Sequence, residues 1–130
     1  MDVRIEQFIL RGRAAFERRD YESALADFRA VLEHHPHFAD IRNLAGLCYG
    51  FMGQPERALE EFEHAVARNA QYVEAHLNRA ITLNELGRFA EAKEAFAQAG
   101  RSEVAGTGRF PGAVSARLAN AHAELGDLYL

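Results

Sequence analysis

The residues with chemistry to offer are few, and the densest group is the run His34-His35-Pro36-His37. Neutral imidazoles are good ligands for zinc and nickel. A helix-borne site wants two of them at i and i+4, and a structural zinc site usually adds cysteine; this run has neither. It reads as a solvated helix end and loop, with no metal expected. His64, His76 and His122 stand singly, with no nucleophile at a recognisable spacing. Cys48 is the only cysteine and lies in an apolar stretch, so it reads as a buried, inert thiol with no disulfide to make. The glycine-flanked run Ala105 to Gly108 lacks the Lys-Ser/Thr and the preceding strand of a phosphate loop. No catalytic residue and no cofactor are expected, and the chain is read as a non-enzyme.

Charge and composition narrow the partners. Fifteen Lys and Arg against 19 Asp and Glu give a net charge of -4. A nucleic-acid binder needs a basic face to displace counterions, so nucleic acid is not expected. Nearly all the positive charge is arginine, Lys93 being the only lysine, which reads as the bias of a GC-rich, bacterial genome. Apolar residues make up 48% of the 130, enough for one ordered domain with a modest core. The first ten residues carry Asp2, Arg4 and Glu6 and no continuous apolar run, unlike a signal peptide. Apolar runs elsewhere are far short of a membrane span. The expectation is a cytoplasmic protein without membrane contact.

The elements that position these residues repeat along the chain. Shifted by 34 residues, Gly12 falls on Gly46 and then Ala80, Ala24 on Ala58 and Ala92, and Phe28 on Phe62 and Phe96. Val31, Ala65 and Ala99 form a further column, and so do Tyr21, Pro55 and Phe89. Gly53 falls on Gly87, with Arg19 in the first copy. Each column keeps a size class, which marks a stack of like units. Each period reads as two helices, the first at 5–18, 41–52 and 73–86 and the second at 22–34, 56–68 and 90–99. Gly53 and Gly87 suit a left-handed helix end, and Pro55 suits the first turn that follows. The small column lets paired helices approach closely, and the phenylalanine column fills the space where they diverge.

This pattern resembles the tetratricopeptide repeat family. It is carried by "GQPERALEEFEHAV", with Gly53, Ala58, Phe62 and Ala65, and by "NELGRFAEAKEAFAQA", with Gly87, Phe89, Ala92, Phe96 and Ala99. Arg11 stands where the family usually has Leu, and Ala70 where the second repeat usually closes on Pro. The resemblance implies an all-α, right-handed α-α superhelix: three helical hairpins (5–38, 39–72 and 73–100) plus a C-terminal helix. After them the period fails. Residues 101–112 read as a glycine-rich loop, and 113–130 as a capping or partial-repeat helix. Leu125, Leu128, Tyr129 and Leu130 on that helix would leave an apolar surface, to be covered by a second copy in a homodimer or by a longer array.

In the family the first helices of successive hairpins line a concave groove that holds a peptide or helix of another protein. On the register found here the groove residues are Ile9, Arg13, Asn43, Leu47, Phe51, Glu74, Leu77, Ile81 and Asn84. Glu6, Phe16, Asp40, Gly50 and Glu85 line the groove as well, with Asn120, Ala123 and Asp127 as further positions on the final helix. An apolar floor with acidic edges suits a protein or peptide with apolar anchors and some basic residues. The family's carboxylate-clamp places fall on Ile9, Arg13, Leu44, Glu74 and Asn78, which lack the clamp's basic set. The expected function is a protein-interaction scaffold. The alternatives are a dedicated chaperone or assembly factor for one client, and the recognition arm of a larger enzyme.

Overall fold

A computed structural model describes residues 2–105; for residues 103–105 it describes the backbone alone. The expected loop beyond 105, the helix at 113–130 and its apolar surface lie outside the described residues. The order is α1 (Val3–Glu17), α2 (Tyr21–His34), α3 (Ala39–Phe51), α4 (Pro55–Arg68), α5 (Val73–Glu85) and α6 (Phe89–Ala105). Among the described residues there is no strand. Five helices end within two residues of expectation. The sixth runs through Ala105 instead of stopping near Ala99, so the start of the expected loop is helical. Gly100 costs a helix only about 1 kcal/mol, and Ser102 beyond it is buried.

Consecutive helices pair: α1 packs on α2, α3 on α4 and α5 on α6, and α2 also packs on α3. The described residues fall into two compact units, divided between Arg68 and Asn69.

Each first helix ends in the same way, for a local reason. Arg19, Gly53 and Gly87 have φ of 64°, 76° and 77°. With the residue after the first helix turned left-handed, the next amide reaches back five residues: Asp20 N donates to Ala15 O at 2.9 Å, Gln54 N to Tyr49 O at 2.9 Å and Arg88 N to Leu83 O at 2.9 Å. That bond satisfies carbonyls the helix leaves open and turns the chain into its partner. Glycine takes this conformation freely, whereas Arg19 carries a Cβ against it. Asp20 then caps α2, its side chain accepting from Ser23 N at 3.3 Å.

The small column works as the spacing implied. A Cβ on Gly12 would stand 2.7 Å from Phe28 Cε1, and one on Gly46 2.5 Å from Phe62 Cε1. Phe28 and Phe62 are buried, each ring stabilising its hairpin by roughly 1.5–3 kcal/mol. The third copy already carries a methyl, Ala80, and its ring Phe96 is only partly buried. In residues 1–68 the core joins Ile5, Ala15, Ala24, Phe28, Val31, Ile41, Ala45 and Cys48. In the second unit Val73, Leu77 and Ala99 pack together, with Ile81 and Phe96 against them.

Two ion pairs support the hairpins of the first unit. Arg11, in the position the family usually gives to Leu, grips Asp27 of α2: its Nε donates to both carboxylate oxygens and its terminal nitrogen to Oδ1 at 2.6 Å. Arg42 of α3 donates to Glu61 of α4 at 2.7 Å and to the Pro36 carbonyl at 2.8 Å. Glu61 therefore does not belong to the solvated face its neighbours Glu60 and Glu63 form.

Candidate partner-binding surface

The expected groove positions divide into those that face solvent and those that hold the fold. On α1, Arg13 is exposed and Ile9 is half-buried against the core of its unit. On α3, Asn43 and Leu47 are buried, Leu47 packing on Ala58 and Phe62. Phe51, at the end of the same helix, is 56% exposed. On α5, Leu77 is fully buried, while Glu74, Ile81 and Asn84 are partly exposed. Asn43, Leu47 and Leu77 are thus packing residues: α3 is covered by both α2 and α4, and Leu77 of α5 packs on Val73 and Ala99. Arg13 and Phe51 are the exposed ones among the expected groove positions of the first unit.

Phe51 does not stand alone. Its ring stacks on Tyr21 with centroids 4.7 Å apart and planes 17° apart, and meets Phe16 edge-on at 6.3 Å. Phe16 and Tyr21 meet edge-on at 5.5 Å. Three helices build this ledge: α1 supplies Phe16, the first residue of α2 is Tyr21, and α3 ends on Phe51. The left-handed turn at Arg19 brings Tyr21 back beside Phe16, and close packing of α3 adds Phe51. Tyr21 is absent from the expected groove, and its one signal is the column it shares with Phe89, an exposed aromatic. Such pairs hold rings in fixed orientation, and exposed aromatics are a common core of protein interfaces.

Cys48 is buried, and burial pushes its thiol up to about 12, so little thiolate forms at neutral pH. His34, His35 and His37 are exposed, and His37 Nε2 accepts from the Arg68 guanidinium at 3.1 Å. Among the described residues no group of three or more His, Cys, Asp or Glu is placed to hold a metal ion. His76 is buried rather than exposed, and its Nε2–H donates to the Ala70 carbonyl at 2.8 Å. No described helix is long and apolar enough to cross a membrane.

Comparison with known proteins places this geometry. Family models described as tetratricopeptide repeat match residues 9–50 and 52–105. A human zinc finger CCCH domain-containing protein, 7B, is 28% identical over 102 residues, 69% of this chain and 10% of that protein. An uncharacterized protein of Methanocaldococcus jannaschii is 43% identical over 51 residues, 39% of this chain and 59% of that one. The chain thus spans a tenth and about three-fifths of the curated relatives it matches. Among solved structures, the TPR2B domain of yeast Sti1 shares the fold with a TM-score of 0.83, at 14% identity over 98% of this chain and 99% of that one. With the helical hairpins, the recurring glycine turns and the matched repeats in agreement, this chain belongs to the tetratricopeptide repeat family.

Proposed function

We propose that the protein is an interaction scaffold that holds a peptide or helix of a partner protein against its first helices. The observation that carries this reading is the exposed ring of Phe51, locked by Tyr21 and Phe16 at a guest-facing register position. A rigid exposed aromatic offers a large contact area at small entropic cost on binding. Support also comes from the yeast Sti1 domain of the same fold, whose structure is a complex with pHsp70.

The guest has apolar anchors and some basic residues. The apolar side chains seat on Phe51 and Phe16. Of the exposed charges at register positions on α1 and α3, Glu6 and Asp40 are acidic and Arg13 is basic, so a guest with a modest positive charge is favoured.

The test is co-purification with native protein beside the Phe51→Glu variant. Phe51 is mostly exposed, so this change leaves the core intact; a charge at buried Leu47 would not. Selective loss of one partner supports a scaffold or chaperone devoted to one client, and loss of several a general scaffold. An enzyme among the lost partners supports the recognition-arm reading. Retention of every partner by the variant refutes the ledge as the binding surface.

A further inference from the structure

The repeat allows each side chain to be compared with its counterpart one period away, and one pair of counterparts differs in a telling way. Arg42 and His76 occupy the same register, as do Pro36 and Ala70 in the loops before them. Arg42 Nε donates to the Pro36 carbonyl at 2.8 Å, and His76 Nε2 to the Ala70 carbonyl at 2.8 Å. In both repeats this side chain fastens the start of the first helix to the loop that enters it. The Ala70 carbonyl also receives the Ser102 hydroxyl of α6, at a longer 3.5 Å.

The difference lies on the other side of the fastening group. Arg42 is neutralised by Glu61, whose counterpart one period on is Ala95. The Nδ1 of His76 is buried and has no hydrogen-bond partner among the described residues. Because Nε2 must carry the proton that the carbonyl accepts, Nδ1 is the bare nitrogen, and an added proton would land there. It would be a buried donor with no acceptor among the described residues, and it would carry a charge away from water. Among the described residues, the charged groups acting on the ring are Arg79 on α5 and Arg101 on α6. Both are positive, although Glu94 partly neutralises Arg101 at 2.8 Å.

We propose that His76 is an acid-sensitive fastener: protonation destabilises the buried ring, so the α5–α6 hairpin opens more readily at mildly acidic pH, while the α3–α4 hairpin, fastened by Arg42 and Glu61, and the α1–α2 hairpin do not. Burial first, then the two arginines, holds the imidazole below its ordinary range, with the Ala70 bond opposing. The sign follows: the hairpin is most stable above the unfolded imidazole value of about 6.5, and that stability is lost as pH falls towards the lower folded value. A consequence for guest binding, through Ile81 on α5, rests on the function proposed above; the fastener itself does not.

Native-state hydrogen exchange on the full chain tests the fastener without a guest. The readout is the opening of α5–α6 amides relative to α1–α4 amides, a ratio from which the intrinsic pH dependence of exchange cancels. Between about pH 7.5 and about pH 5.5 the ratio is expected to rise by up to about tenfold, and to stay flat in His76→Gln. Glutamine keeps a donor for the Ala70 carbonyl but cannot titrate. A flat ratio in the native protein, or an equal rise in the variant, overturns the proposal. If the variant does not fold, NMR titration of the His76 ring in the native chain decides. A midpoint clearly below about 6.5 supports the fastener, and one at or above it refutes it.

Discussion

Replacing Gly46 by alanine tests the packing at the centre of the fold, because two opposing terms can be separated on one helix. The added Cβ would stand 2.5 Å from Phe62 Cε1, 2.8 Å from Cδ1 and 2.9 Å from Cζ. Carbon atoms prefer about 3.5–4.0 Å, so the ring must retreat by roughly 1 Å. Phe62 is buried among Leu47 and Ala58 and has nowhere open to go. Overpacking of this kind costs about 1–3 kcal/mol, while alanine gains about 0.5–1 kcal/mol over glycine within a helix. The steric term is the larger, and a net destabilisation is expected. Gly50 lies one turn further along α3, where a Cβ would meet only Ala58 Cβ at 4.0 Å. Gly50→Ala therefore keeps the helix gain without the clash and is expected to stabilise. Urea unfolding followed by far-UV circular dichroism should separate the two variants by about 1–3 kcal/mol, as a shift in midpoint at constant slope. In a Phe62→Leu background the penalty at Gly46 should shrink, since the atoms it meets are gone. If Gly46→Ala proves as stable as Gly50→Ala, the close approach of α3 and α4 is not what selects glycine there.

Other outcomes follow from single contacts. Arg19→Gly is expected to stabilise by about 1 kcal/mol, read as a higher urea midpoint, because it removes a Cβ from a left-handed turn whose two counterparts are glycine. Glu61→Ala is expected to cost about 1.5–3 kcal/mol, because it leaves the largely buried Arg42 guanidinium unpaired, with only 18% of its side chain exposed. Arg11→Ala is expected to cost a similar amount in the same assay, because it strands the Asp27 carboxylate, whose side chain is only 9% exposed. Cys48 should resist alkylation in the native state at neutral pH and react on unfolding, so that labelling tracks opening of the first unit.

The period was legible because packing imposes it directly. Gly12, Gly46, Phe28 and Phe62 recur at one spacing since each hairpin needs the same close approach and the same filler, and the structure brings each pair into contact. Helix ends were legible at Gly53 and Gly87, where composition states the backbone conformation. Arg19 gives no such sign: its left-handed turn shows only by register with the two glycines. The end of α6 was misread because a lone glycine at 100 is a weak breaker when the following residues favour helix. The candidate site was less legible. Register singled out the first helices as the expected groove, but not which of their residues the fold would cover: Leu77 is enclosed and Phe51 is open.

By itself the sequence determined the local and periodic features: which segments become helices, where the chain turns, and which helices pair. These depend on neighbours in the chain or on a fixed spacing. Tertiary structure alone decided what depends on a third body: the stacking of Tyr21 on Phe51, the pairing of Arg42 with Glu61, and the bare Nδ1 of His76. Solvent exclusion and electrostatic partnership are set by distances across the fold, and no spacing along the chain encodes them.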